Sequence, residues 1–168
     1  MGALGNPMYG QNKFDAYADG SIGEVVHVKP ASDGTVASPT ETLTASESGN
    51  VYVVDISANT AAFVLPQASL AKGAVFTFIL GIESESEGTK DLIIATNNTA
   101  EFVIGCALDA GAVHDTTDAD DQIMFDTSAG TANAGDMIKL VCDGVHYYIL
   151  SARALSANAF VSGTATRS

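Results

Sequence analysis

The stretch of sequence that decides the fold is residues 136–152, which read DMIKLVCDGVHYYILSA. Two runs rich in β-branched and aromatic residues flank Asp143-Gly144, and this pattern predicts a β-hairpin. The Asp-Gly pair favours a type I′ turn, because both central residues of that turn need a positive φ. Alternation along the first strand separates its side chains onto two faces. One face is predicted to hold Ile138, Leu140 and Cys142.

Upstream of this hairpin, short strand-like runs alternate with turn residues. Strands are predicted within residues 24–29, 41–45, 50–57, 62–65, 74–80, 91–96 and 101–104. Residues 67–72 follow Pro66 and precede Gly73, an arrangement that predicts one helical turn. Many short strands without a long amphipathic helix predict an all-β protein. We expect a single β-sandwich or jelly-roll-like barrel made by residues 24–168.

Residues 1–23 do not share this pattern. Their aromatic residues are isolated and follow neither a period of 2 nor one of 3.6, so the segment cannot bury one face of a regular element. A frayed terminus is one interpretation. We favour an extended N-terminal arm that binds a partner, because disordered tails are usually poor in aromatic residues. The predicted anchors of this arm are Pro7, Met8, Tyr9, Phe14 and Tyr17.

The charge of the chain limits its partners. The 168 residues include 20 acidic and 7 basic ones, which gives a net charge of −13. Binding to nucleic acid and to anionic lipid depends on Lys and Arg, so we expect neither as a partner. No apolar run approaches the ~18 residues of a membrane span, and the first residues lack the basic and apolar regions of a signal peptide.

The two cysteines and three histidines form no recognisable site. Cys106 and Cys142 lie far apart without a CxxC spacing, so we expect free thiols in a reducing cytoplasm, with a cross-strand disulfide as the alternative. His146 is interpreted as a structural residue with a cross-strand partner. The sequence has no G-x-S-x-G elbow, no P-loop and no G-x-G-x-x-G motif. We therefore predict that the protein is not an enzyme and uses no cofactor.

Residues 82–88 contain three glutamates at a spacing of two. On an extended strand, Glu83, Glu85 and Glu87 would face the same way and repel one another. We interpret them as a solvated loop tip in preference to a pair of catalytic acids.

A second acidic cluster lies in residues 114–126, HDTTDADDQIMFD. Asp118, Asp120 and Asp121 are weak candidates for binding a hard cation, which prefers several oxygen ligands. Counted from Asp118, the sixth position is Ile123 instead of glycine, so the EF-hand pattern fails. A solvated acidic loop is the preferred interpretation, and calcium in an irregular loop is the alternative.

Two segments resemble small β-domains of tailed-phage virion proteins. They are residues 63–79, with FVLPQA before GAVFTFI, and residues 135–152. Such domains occur in head decoration (cement) proteins and in head or tail fibres, often as trimers. The resemblance covers about residues 50–155, although Tyr147 and Tyr148 stand where such domains commonly have a Trp. The opening GNPMYG of residues 5–10 is similar to arms that attach virion proteins to a shell.

The resemblance implies a virion structural protein. As a capsid decoration protein and homotrimer, it would bind the major capsid protein on the outer surface of a phage head and stabilise contacts between capsid subunits. It would be made in the host cytoplasm, and its negative charge agrees with an outer position because packaged DNA would repel it. The alternative is a head- or tail-fibre domain that binds a receptor or carbohydrate. Its aromatic platforms would be Tyr52, Tyr147 and Tyr148.

Overall fold

A computed structural model of the chain describes residues 24–28, 40–57, 59–82, 90–110, 112–117, 119–127 and 131–164. The predicted arm, with Pro7, Met8, Tyr9, Phe14 and Tyr17, lies outside these residues. So do Asp118 and the glutamates of residues 83–87. Within the described ranges, no helix is long and apolar enough to cross a membrane.

The described residues form short strands and two single-turn 3-10 helices, Ala45–Glu47 and Ala68–Leu70. The second of these helices is the predicted helical turn. In chain order, the strands are β1 (Val25–Val28), β2 (Thr40–Thr42), β3 (Val51–Asp55), β4 (Ala61–Val64), β5 (Val75–Ile82), β6 (Leu92–Ala95), β7 (Val103–Ile104), β8 (Cys106–Asp109), β9 (Ala112–Asp115), β10 (Gln122–Phe125), β11 (Met137–Cys142), β12 (Tyr147–Ala154) and β13 (Phe160–Gly163).

The strands form two mixed sheets. The large sheet has the order β1-β3-β5-β11-β12-β8-β9, and β7 also pairs with β12. The small sheet has the order β13-β10-β6-β4-β2. The all-β prediction is confirmed, and the two sheets pack as a sandwich, since the described strands close no barrel.

Side chains from both sheets share one core. At its centre, Phe63 of the small sheet contacts Tyr52 and Phe78 of the large sheet, with ring centroids 5.4 and 5.2 Å away. All three rings are buried. Removing a Phe-sized side chain from water contributes about 1.5–3 kcal/mol to folding, so this aromatic contact is a main attachment between the sheets.

The predicted hairpin is β11–β12, and Ile138, Leu140 and Cys142 are buried as expected. The predicted type I′ turn is wrong. Only Gly144 of the Asp143-Gly144 pair has a positive φ, at +99°. The Asp143 carboxylate instead accepts hydrogen bonds from the backbone N–H groups of Val145 and His146, both at 2.7 Å. Asp143 therefore stabilises the turn with its side chain, as Asp residues often do.

Four strands, β8, β9, β10 and β13, are absent from the sequence prediction. Strands β9 and β10 correct the interpretation of residues 114–126 as one acidic loop. Ile123 and Phe125 of β10 enter the core, and only the short connection between these two strands lies outside regular structure.

Candidate functional site

The acidic segment is organised by hydrogen bonds within the protein. Asp120 Oδ2 accepts from the backbone N–H of Thr117 at 2.7 Å and from the hydroxyl of Ser162 at 2.8 Å. Burial alone would raise the pKa of Asp120, but these hydrogen bonds outweigh it and hold the pKa below its ordinary value. Asp120 thus acts as an acceptor that fixes the turn before β10.

The weak metal candidates are not assembled into a site within the described part of the chain. Asp121 is buried, and its backbone carbonyl accepts from the N–H of Thr96 at 2.8 Å. No group of three or more His, Cys, Asp or Glu residues in the described ranges is arranged to hold a metal ion. Asp118 lies outside those ranges.

A polar chain joins the two sheets at one edge of the sandwich. His114 Nε2 of β9 lies 3.1 Å from Ser162 Oγ of β13, and this hydroxyl donates to Asp120. Because a serine hydroxyl has one proton, His114 must donate to it through Nε2–H. In nucleophilic catalysis the histidine accepts the serine proton. Here the histidine donates a proton to the serine and the serine donates to Asp120, which is the opposite direction. We therefore interpret these hydrogen bonds as a clamp between the sheets.

A buried carboxylate lies beside this clamp. Asp109 of β8 is 2% exposed, and its Oδ2 accepts from the backbone N–H of Phe160 at 3.3 Å. Its Oδ1 is buried and has no hydrogen-bond partner among the described residues. Burial raises the pKa of Asp109, and the nearby His114 partly opposes that shift. The two sheets therefore meet here through a carboxyl group that resists ionisation.

A second buried polar cluster lies at the base of the hairpin. The hydroxyl of Tyr147 donates to the carbonyl oxygen of Pro66 at 2.6 Å. Glu101 Oε1 accepts from the N–H of Ala68 at 3.0 Å, and the Cys142 thiol donates to the carbonyl of Ala68 at 3.4 Å. These contacts tie the segment between β4 and β5 to β12 and to the loop before β7.

The cysteines occupy different environments, and both are free thiols. Burial raises the pKa of Cys142, which makes it a weak nucleophile at neutral pH. Cys106 is exposed on β8. The disulfide that the sequence left open is therefore not formed.

The contacts of His146 support a structural role for this residue. Its Nδ1 accepts from the backbone N–H of Phe102 at 3.2 Å, and its ring stacks on that of Phe102 at 5.1 Å. It lies in the hairpin loop just before β12, one residue outside the strand that the sequence predicted for it.

Two of the three tyrosines proposed as carbohydrate platforms are buried. Tyr52 is 1% exposed and Tyr147 is 0% exposed, so neither presents an aromatic face for stacking on a sugar. Tyr148 is 36% exposed. A single exposed tyrosine gives little support to the carbohydrate-binding alternative.

The outer face of the small sheet carries no charged side chain on its described strand positions. Its register places Val161, Met124, Ile93 and Ala62 side by side, and the next row contains Gln122, Ala95 and Val64. These side chains are short or partly covered by their neighbours, and none of the large hydrophobic ones is highly exposed. We call this surface the small-sheet face.

The outer face of the large sheet is broader and exposes larger hydrophobic side chains. We call this surface the large-sheet face. The strand register aligns one row of outward residues across it. This row contains His27, Val53, Ile79, Met137, Arg153, Leu108 and Val113. The large exposed hydrophobic side chains of this face are Val25, Leu108, Val113, Tyr148 and Leu150. Leu150 lies at a β-bulge, because the consecutive β11 residues Lys139 and Leu140 pair with Ser151 and Ile149 and skip Leu150.

Sequence reasoning missed the large-sheet face because its residues come from seven strands. On β8, Ala107 and Asp109 are buried while Cys106 and Leu108 are exposed, an order that hydrophobic alternation in the sequence does not indicate. Neither a known protein family nor a curated protein matches this chain.

Proposed function

We propose that this protein is a non-enzymatic virion structural protein, a capsid decoration protein that binds the outer surface of a phage head. It contacts the major capsid protein, stabilises neighbouring capsid subunits and is made in the host cytoplasm. The observation that carries this proposal is the pair of broad sheet faces with little net charge on a chain of net charge −13. Large surfaces of this kind suit protein contacts.

The distribution of acidic residues supports an assembly role. Among the described strands, the acidic residues are Glu41, Asp55, Asp109 and Asp115. The other described acidic groups lie outside the strands, with Glu47 in the first 3-10 helix and the rest in connecting segments. The exposed ones among them repel DNA, while the neutral faces remain available to a protein surface.

The polar clusters support a structural role in preference to catalysis. Ser162 donates its proton to a carboxylate, and the Cys142 thiol is buried with a raised pKa. Neither group is prepared to attack a substrate. Both clusters join the sheets or the loops to each other.

Attachment to the shell is proposed to depend on residues 1–23, with Pro7, Met8, Tyr9, Phe14 and Tyr17 as the anchors. The likeness of GNPMYG to virion attachment arms supports this role. An arm that becomes ordered on a partner can cover a large surface with few charges. The same resemblance supports a homotrimer as the form that binds the shell.

Cosedimentation with undecorated capsid shells tests the proposal. We expect the full chain to bind shells, and a chain that lacks residues 1–23 to lose binding. Substitution of Tyr9 and Phe14 by alanine should weaken binding, whereas alanine at Gln11 and Asn12, in the same segment, serves as the matched control. Binding through apolar anchors should persist at about 1 M salt, where charge interactions are screened within about 3 Å.

The result that would overturn the proposal is a full chain that remains in the supernatant at every salt concentration. Binding that is unchanged after truncation would remove the arm from the attachment mechanism and leave the sheet faces as the contact surface.

A further inference from the structure

We propose that the large-sheet face is a self-association surface covered by a second copy of this chain. This inference deepens the proposed function, because it names a surface through which copies of the proposed virion protein associate with one another. Its test is made in solution without capsids. Failure of self-association and failure of shell binding are therefore distinguishable.

The apolar character of the face is the first argument. Leu108, Val113 and Leu150 are 51%, 59% and 56% exposed, and they lie on the neighbouring strands β8, β9 and β12. Tyr148 and the partly covered Met137 lie on the same face, on β12 and β11. Single exposed hydrophobic residues are common on protein surfaces, but several large ones on one face of a sheet indicate an interaction surface.

Charge is the second argument, and it favours another copy as the occupant. Two molecules of net charge −13 repel each other when their acidic loops face one another. The large-sheet face carries Lys139 and Arg153 near its centre, and alternation places Asp55 and Asp115 on the same side near its edges. Two positive and two negative groups leave this face without net charge. Two copies can therefore approach here with little repulsion.

The size of the face is the third argument. Seven strands at a spacing of about 4.8 Å span roughly 29 Å, and strands of about six residues are roughly 20 Å long. The flat footprint is therefore on the order of 600 Å², close to the roughly 800 Å² that each partner buries in a stable protein interface.

The test is sedimentation equilibrium of the full chain between about 1 and 100 µM. We expect a concentration-dependent oligomer, and we expect Leu108→Asp and Leu150→Asp each to weaken association by at least about tenfold, because each would bury a charge against apolar side chains of the other copy. The matched control is Leu70→Asp. Leu70 is 74% exposed on the second 3-10 helix, which connects β4 and β5 and is not one of the strands of this face, and its substitution should leave association unchanged.

Cys106 supplies a second measurement on the unmodified chain. This exposed thiol pairs with Asp115 in the register and projects from the large-sheet face, whereas Cys142 is buried in the core. The rate of maleimide labelling at Cys106 should fall as the protein concentration rises. Unfolding is not a concern in this measurement, because no residue is changed.

Three results would overturn the inference. The first is a monomer at about 100 µM together with a constant labelling rate at Cys106. The second is association that Leu108→Asp and Leu150→Asp leave intact. The third is association that disappears when residues 1–23 are removed, which would assign the contact to the N-terminal arm. Self-association that survives the truncation and fails in the two leucine variants would support the proposed surface.

Discussion

Replacing Tyr147 with phenylalanine tests the buried cluster at the base of the hairpin. The substitution keeps the aromatic ring and removes only the hydroxyl that donates to Pro66 at 2.6 Å. A net hydrogen bond contributes about 0.5–1.5 kcal/mol, and an acceptor left buried without a partner costs about 1–3 kcal/mol. We therefore expect Tyr147→Phe to lower the free energy of unfolding by about 1–3 kcal/mol. For a chain of this length, each kcal/mol lowers the Tm by about 2–4 °C.

The neighbouring tyrosine provides the matched control. Tyr148 has the same side chain one residue later, but it faces outward and is 36% exposed. Tyr148→Phe should cost much less stability than Tyr147→Phe, because the Tyr148 hydroxyl interacts with the Asp143 carboxylate at an exposed position. Urea unfolding should be followed by far-UV circular dichroism, because the sequence has no Trp and the substitutions themselves alter tyrosine fluorescence. Equal losses in both variants, or no loss at Tyr147, would refute the role assigned to the buried hydroxyl.

Three further predictions follow from the core and from the polar clusters. Phe63→Ala should lower the free energy of unfolding by about 3–5 kcal/mol, because it opens a cavity between the sheets; a calorimetric loss below about 1 kcal/mol would contradict this packing. Burial raises the pKa of Asp109 above its ordinary 3.8, so its contribution to stability is complete below pH 3.8 and is lost as the pH rises through the folded-state value. Asp109→Asn should therefore gain stability relative to the parent as the pH is raised, and a difference that stays constant from acid to neutral pH would count against the shift. Addition of about 5 mM calcium should change the Tm by less than about 1 °C, and a rise of several degrees would show a cation site that the hydrogen bonds of Asp120 do not indicate.

The hairpin could be predicted because its signals are local. Hydrophobic alternation depends only on neighbouring positions, and it correctly placed Ile138, Leu140 and Cys142 in the core. The turn type could not be predicted in the same way. Asp143 can stabilise a turn through its φ or through its carboxylate, and the sequence does not distinguish these two uses. The structure shows the second use.

Strand β8 shows why part of the sheet was missed. Its small Ala107 faces the core, while its large Leu108 faces outward and its acidic Asp109 is buried. This order contradicts the usual assignment of large apolar residues to the interior and carboxylates to the surface. His114 of β9 lies opposite Ala107 in the register, and its side chain reaches Ser162 of the small sheet. Which side chains of β8 face the core depends on its neighbouring strands, so the sequence of β8 alone does not reveal it.

The residues of the large-sheet face could not be grouped from sequence for a related reason. Its central row joins Ile79, Met137 and Leu108, which come from distant parts of the chain. Their alignment depends on the strand order β5-β11-β12-β8, which in turn depends on non-local pairing. Periodicity predicts which side chains share a face of one strand, but it does not predict which strands lie next to each other.

Two of the described edge strands are protected against association through their edges. Strands β2 and β9 lie at edges of the small and large sheets, have three and four residues, and carry Glu41 and Asp115. Short edge strands with a charged side chain resist pairing with the edge of another molecule. In a chain of net charge −13, an edge-to-edge contact would also bring the acidic side chains of these two edges together. A second copy that covers the large-sheet face instead removes Leu108 and Leu150 from water, and the balanced charges of this face oppose that contact little.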